Sequence, residues 1–375
     1  MVERAPLISA FPSVRPPVSD GAAAEETLFP RGTRPPRIVA IGGGTGLPVV
    51  LRGLRAALFP APHRGLPHWR RDLLTALVTV ADDGGSSGRL RRAYGMLAPG
   101  DIRNCLVALA DDAQRAAMFE YRFDGGDGLG GHCLGNLILA ALSRLESRFP
   151  AAVEQAGEIL GIRGRVLPAT TTDVRLLAEM ADGRQIEGES RIAAARGRVR
   201  RIRLVPDPAP ALPEVLAAIA DAELVVIGPG SLYTSLLPVL LVQGIAEEIA
   251  RSGARVVLVM NLMTEPGETD AMTAADHVRA IQRHAPRMRI HDVLLASTPI
   301  PSRLLGTYAA LGARPVTADL AALRALGCRP VRRKMLGAGD RIRHDPQKLA
   351  AAVLRSATRP ALRVNDEERG TRCWA

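Results

Sequence analysis

Two glycine stretches carry the residue types that bind anions. Gly42-Gly43-Gly44-Thr45-Gly46 closes the apolar run Ile38 to Ile41 and opens the helical pattern Leu47 to Leu58. Backbone N–H groups in such a loop approach a phosphate at a helix N-terminus because no side chain stands in the way. The strict dinucleotide fingerprint is not met, since its last glycine falls on Leu47 and no acidic residue follows about 20 positions on. A turn serving only helix packing is the alternative, but three consecutive glycines cost backbone entropy, which favours nucleotide contact. Gly228-Pro229-Gly230-Ser231-Leu232-Tyr233-Thr234-Ser235 repeats the arrangement and adds the hydroxyls of Ser231, Thr234 and Ser235. Ser231 could equally serve as a plain helix cap. Two such loops in one chain fit the two phosphates of a diphosphate linker.

Carboxylates form the second chemical group. Asp82 and Asp83 end the apolar run Leu73 to Val80 and lead into Gly84-Gly85-Ser86-Ser87-Gly88, and Asp101 follows in Pro99-Gly100-Asp101. Hard oxygen ligands of this kind suit Mg2+ carrying a phosphorylated substrate, so Asp83 and Asp101 are the candidate metal ligands. Asp101 is also a natural helix N-cap, and Asp83-Gly84 is ordinary turn chemistry. His132 and Asn136 flank a helix start where a polar cluster could meet a substrate, although a lone histidine is more often bonded locally. Arg343 could take a phosphate and His344 could do acid/base work. No Ser-His-Asp or Cys-His nucleophile arrangement can be read, so catalytic residues are left unassigned.

The elements that must position these residues alternate between strand and helix. Apolar runs at 38–41, 73–80, 223–227, 255–260 and 292–296 alternate with helical patterns at 47–58, 101–112, 133–145, up to 284, 304–311 and 346–356. The pattern predicts an α/β fold: a Rossmann-like, mostly parallel sheet with helices on both faces. Between about 165 and 205 the texture changes to short alternating runs with a hairpin at Asp182-Gly183, read as a small β-rich insertion. Residues 1–36, rich in proline and alanine, read as a disordered leader, 37–358 as the nucleotide-binding domain, and 359–375 as a loose tail.

Composition narrows the class further. The chain has 375 residues, 47% hydrophobic and 23% charged, enough to bury a large core, and no apolar run reaches the roughly 20 residues of a membrane span. Its net charge is +11, and all but two of its 49 basic residues, Lys334 and Lys348, are arginine. Aromatics are only 3% of residues, too few for a base-stacking platform, which argues against a nucleic-acid partner. The arginines between 184 and 203 read as a solvated strand face. Cys105, Cys133, Cys328 and Cys373 stand apart with no C-x-x-C, so neither a zinc cage nor a disulfide framework is expected. The expectation is a cytoplasmic homo-oligomer.

Taken together, the two glycine loops, Ala81-Asp82-Asp83-Gly84-Gly85-Ser86-Ser87-Gly88, Gly131-His132-Cys133-Leu134-Gly135-Asn136 and Asn261-Leu262-Met263-Thr264-Glu265-Pro266-Gly267-Glu268-Thr269 resemble the gluconeogenesis factor family. That family is a bacterial branch of the 2-phospho-L-lactate transferase-like (CofD-like) superfamily. The resemblance runs from about Arg37 to Leu354. It implies a cytoplasmic binder of a UDP-sugar such as UDP-N-acetylglucosamine, linked to cell shape and peptidoglycan supply on gluconeogenic carbon. It implies Tyr308 and Arg343 as sugar-nucleotide ligands, and Asp83 as the match for the superfamily's Mg2+-holding aspartate. The alternative it carries is a Mg2+-dependent 2-phospho-L-lactate transferase acting on a nucleotide diphosphate donor. Cys133 stands where the family usually shows serine.

Overall fold

A computed structural model describes residues 34–60, 68–126, 128–195 and 197–357. The tail expected at 359–375 and all but the last residues of the leader lie outside them. Seven parallel strands form the main sheet: β1 (Ile38–Gly42), β2 (Leu74–Val78), β3 (Arg165–Pro168), β7 (Leu224–Ile227), β8 (Arg255–Val259), β9 (Asp292–Ala296) and β10 (Arg329–Arg333). Three more, β4 (Arg175–Met180), β5 (Gln185–Glu187) and β6 (Val199–Val205), make a separate antiparallel sheet in the order β5-β4-β6.

The main sheet runs β10-β9-β8-β7-β1-β2-β3. The chain lays strands outward from β1 to β3, returns, and lays β7 to β10 outward on the other side. The turning point lies between β1 and β7, where Ile38 to Ile41 pair in parallel register with Leu224 to Ile227. Every residue of β1, β2, β7 and β8 is buried, as expected of strands covered on both faces, and this explains their continuous apolar runs.

Each face has its own core. On one, Leu47, Leu51 and Leu54 of the helix Gly46–Leu58 pack with Ile102 and Leu106 of the helix Gly100–Leu109 and with Leu349 and Val353 of the helix Pro346–Ala357. The first and last helices meet backbone to backbone, because a Cβ on Gly53 would lie 1.9 Å from the Pro346 carbonyl oxygen. On the other face, Leu176, Ile202 and Leu204 of the small sheet pack with Val215, Leu237 and Ile281. Three exposed arginines of that unit pair locally: Arg175 with Glu187, Arg184 with Asp182, and Arg200 with Glu179.

One boundary moves. Arg165–Pro168, read as the start of the β-rich insertion, is the edge strand of the main sheet, paired with β2 from Thr75↔Arg165 to Val78↔Pro168. The small sheet begins only at Arg175, and it includes a short helix, Glu189–Ala194. A four-residue strand opening on Arg165 and closing on Pro168 is too short to show a continuous apolar run, so sequence pattern does not separate it from the alternating hairpin strands that follow.

Candidate functional site

β1 delivers the first glycine loop to the carboxyl edge of the sheet, where ligands of open α/β folds bind. Its glycines are required by contact. A Cβ on Gly43 would fall 2.5 Å from Asp101 Oδ2, and one on Gly46 would fall 1.9 Å from the Pro229 carbonyl oxygen. The loops after β1 and β7 therefore touch backbone to backbone, the juxtaposition that a diphosphate site needs. Gly44, at φ +60°, donates its N–H to Asp101, and its carbonyl accepts from Asn104 Nδ2 at 3.5 Å. Burial raises the Asp101 carboxyl to about 6, opposed by the Gly44 N–H and reinforced by neighbouring Asp82.

The second loop is differently engaged than its sequence suggests. Gly230 N–H donates to Asn261 Oδ1 at 2.9 Å, and Asn261 Nδ2 returns a bond to the Gly230 carbonyl at 2.9 Å. Ser231 Oγ donates to Glu265 Oε2 at 2.5 Å. The N–H groups of Tyr233 and Thr234 donate to Glu268 Oε1 at 2.6 and 3.1 Å. The Ser231 hydroxyl and the Tyr233 and Thr234 N–H groups are thus already held by carboxylates of the segment after β8, and the Gly230 N–H by the Asn261 amide. The helix they would open is a single π turn, Leu232–Leu236, continued by the short helix Leu237–Leu240. Glu268 is raised to about 8, by burial first and by the adjoining Glu265 second, while the two amides pull the other way. Thr234 and Ser235 are buried, and Ser235 Oγ would lie 3.3 Å from a Cβ on Gly44.

The acidic residues gather beside the first loop. Asp82 Oδ1 accepts from Gly84 N–H at 2.9 Å, and Asp83 Oδ1 accepts from Ser190 N–H at 2.9 Å. Asp83 thereby anchors the short helix of the small sheet, whereas Asp101 faces Gly43 and Gly44. Glu189, which sequence reading missed, hydrogen-bonds Asp82; burial first, then the charges of Asp82, Asp101 and Asp83, raises it to about 9. Nothing in the local sequence signals Glu189, because it reaches the cluster from the insertion. Among the described residues no three Asp, Glu, His or Cys side chains converge to hold a metal ion. The candidate ligands Asp83 and Asp101 share an edge but each is engaged by a different backbone N–H, so this set as it stands does not fit a chelated cation.

Asn136 belongs to an interior network. Its Nδ2 donates to Ser86 Oγ at 3.0 Å, and Ser86 Oγ bonds His132 Nδ1 at 2.8 Å, with all three residues buried. Burial, then Arg89 and Arg122, lowers the His132 pKa. The network ties the start of the helix Leu134–Leu145 to that of the helix Gly85–Tyr94.

A cavity of about 560 Å³ opens over the turning point of the sheet. Of the sequence-expected residues, Thr45, Gly46, Gly230, Tyr308 and Arg343 line it; Gly42, Gly43, Gly44, Ser231, Thr234, Ser235 and Asn136 do not. Tyr308, on the helix Ser302–Ala310, is fixed by its hydroxyl, which accepts from Ile342 N–H at 3.1 Å. That bond binds together the two segments that supply Tyr308 and Arg343. The exposed Arg343 guanidinium pairs with no carboxylate among the described residues. Asn104, Asn261, Glu265 and His344 also line the cavity. Asn261 and Glu265 stand in a motif visible in the sequence, but no role could be given to them before the loop was seen to fold onto Gly230 and Ser231.

A family model described as 2-phospho-L-lactate transferase CofD matches residues 38–336. The gluconeogenesis factor of Bacillus subtilis is 44% identical over 321 residues, covering 85% of this chain and 97% of that protein. The gluconeogenesis factor of Halalkalibacterium halodurans is 43% identical over 324 residues, covering 86% and 97%. A crystal structure of a protein from Bacillus halodurans superposes with a TM-score of 0.79 at 43% identity, covering 85% of this chain and 99% of that one.

Proposed function

The chain belongs to the gluconeogenesis factor family, a branch of the CofD-like superfamily, and on that footing we propose that it binds a UDP-sugar of the UDP-N-acetylglucosamine kind as a regulator without turnover. The observation that carries this reading is the 560 Å³ cavity at the strand-order reversal, with an uncommitted arginine, Arg343, in its wall. Its volume suits a small-molecule ligand, and its place at the carboxyl ends of β1, β7 and β8 is where nucleotides bind in open α/β sheets. The Gly42–Gly46 loop supplies close backbone approach, Arg343 a cation for the diphosphate, and Tyr308 an aromatic wall. With both donors of the second loop's first turn held by Glu268, the anion is assigned to the Thr45-Gly46 and Arg343 side of the cavity.

In this reading the protein acts in the cytoplasm as a homo-oligomer, and ligand occupancy reports nucleotide-sugar supply for cell shape and peptidoglycan synthesis on gluconeogenic carbon. Among the described residues no helix is long and apolar enough to cross a membrane. Calorimetric titration with UDP-N-acetylglucosamine, UDP-glucose, GDP and NAD tests it. Uridine nucleotides should bind and NAD should not; the absence of any uridine nucleotide binding at millimolar concentration ends the reading.

The match to the transferase family model favours a second reading, phospholactyl transfer from a nucleotide diphosphate donor. The carboxylates beside Gly43 do not converge on one point, so no step is assigned to Mg2+. Incubation with a guanosine diphosphate-linked lactate donor, a deazaflavin acceptor and Mg2+ would yield coupled product by mass spectrometry if transfer occurs.

A further inference from the structure

Most buried or half-buried polar groups in the cavity wall are committed to the protein. Thr264 Oγ1 accepts from Arg314 N–H at 3.0 Å, Asn261 bonds Gly230 in both directions, and Glu265 holds Ser231. His344 is different. It is 8% exposed and lines the cavity, and its ring donates to the Met260 carbonyl, yet its Nε2 has no hydrogen-bond partner among the described residues. The donor to Met260 is therefore Nδ1, and Nε2 carries an unused lone pair. Buried acceptors in folded proteins are nearly always satisfied, so a buried one left without a partner on a residue of the cavity wall calls for a donor from outside the chain.

The backbone around the ring is fixed on both sides. Gly337 N–H donates to the Arg343 carbonyl at 2.9 Å, Asp345 N–H donates to the Met335 carbonyl at 2.8 Å, and His344 bridges Leu336. The ring is thus presented from a pinned turn next to Arg343, not from a loose loop.

We infer that His344 is a specificity-determining residue whose Nε2 accepts a hydrogen bond from an N–H or O–H group of the nucleotide ligand, while its neighbour Arg343 takes the phosphate. The inference deepens the nucleotide-binding reading and rests on it. Burial lowers the imidazole to about 4, so at neutral pH the ring is uncharged and Nε2 can only accept. This replaces the acid/base role that its sequence position suggested. A neutral acceptor discriminates by rejecting ligands that present a carbonyl or ether oxygen at that point, since two acceptors cannot pair.

Two variants separate the ring's two nitrogens. In H344N the shorter amide can still donate to Met260 but cannot reach the Nε2 position. In H344Q the longer side chain can place an oxygen acceptor there. Each is titrated by calorimetry with UDP and with UDP-N-acetylglucosamine, with melting temperatures recorded alongside. H344N should keep a near wild-type melting temperature and bind at least one of the two roughly 10-fold or more weakly, and H344Q should recover most of that loss. Wild-type affinity in H344N for both probes would overturn the inference and leave a water as the partner of Nε2. Weak binding by H344Q as well would overturn it in favour of a purely structural ring. If the wild-type protein binds neither probe, the nucleotide-binding reading itself fails and takes the inference with it.

Discussion

Arg343 and Glu189 show how single side chains divide the work of this site. Arg343 is a cation with no carboxylate partner among the described residues at the rim of a cavity, so its replacement removes a charge-assisted contact to phosphate and little else. Arg343→Ala should weaken uridine nucleotide binding by about 1.5 to 3 kcal/mol, with the melting temperature unchanged, as titration and thermal unfolding would report. Glu189 is the opposite case, a carboxyl pressed against Asp82 and raised from 4.5 to about 9. A folded-state pKa above the unfolded value means the native state holds a proton that the unfolded chain releases. The stability it contributes is complete below about 4.5 and is lost as pH rises toward about 9. Glu189→Gln keeps the protonated shape at every pH. It should be more stable than wild type by about 1 to 3 kcal/mol at pH 8 and indistinguishable at pH 4 in denaturant titrations, allowing for relaxation around the cluster. Equal stability at pH 8 would show that the cluster disperses its charge in another way.

At the level of elements, β8, β9 and β10 are joined at their amino ends by one buried carboxylate. Asp292, fully buried, accepts from Arg255 Nε at 2.9 Å and from Arg329 Nε at 2.7 Å. Burial disfavours its charge, but the bonds and charges of the two arginines outweigh it and hold the carboxyl below its usual range. Asp292→Ala takes away the anion that both guanidiniums share, and it should cost about 3 to 5 kcal/mol in chemical denaturation. In the wild type the triad's contribution is present at neutral pH and fades as pH falls through the folded pKa of Asp292, whereas the variant should lose this acid sensitivity. The strand bearing Arg329 was not legible in the sequence, because Arg329-Pro330-Val331-Arg332-Arg333 has one buried apolar residue and its place at the sheet edge is set by this ion pair. β1, β2, β7, β8 and β9 were legible, since strands buried on both faces carry mostly apolar runs, the buried Arg255 and Asp292 standing at their amino ends. The glycine loops were legible as loops because clustered glycines end the apolar runs. Their occupancy was not: that Glu265 and Glu268 would fold back onto Ser231, Tyr233 and Thr234 depends on a contact across 34 to 35 positions that no local pattern encodes. Tyr308 and Arg343 were placed by family resemblance, and the cavity that joins them emerges only from the crossing of separate segments.

For the whole molecule, the doubly wound order fixes where a ligand can enter, and the surplus of arginine sets what kind of ligand is drawn there. The net charge of +11 is spread over a surface on which many guanidiniums are answered locally, as on the small sheet, where Arg175, Arg184 and Arg200 each hold a carboxylate. Such paired arginines present no continuous phosphate-binding stripe, and the same holds for Arg303 with Asp340. Arg343, by contrast, lines the cavity with no carboxylate partner among the described residues, so it offers a ligand there one cationic contact. The two consequences can be measured side by side. Binding to a random duplex DNA, watched by fluorescence anisotropy, should be weak at 50 mM salt and gone by about 200 mM, because non-specific association is driven by counterion release. Over the same range the affinity for UDP-N-acetylglucosamine should fall by less than about 10-fold, because one or two cationic contacts give a shallow salt slope. Tight DNA binding that survives 200 mM salt would assign the arginine surplus to a nucleic acid, and a nucleotide affinity that collapses with the same steep slope would place the ligand on the outer surface instead of in the cavity between β1 and β7.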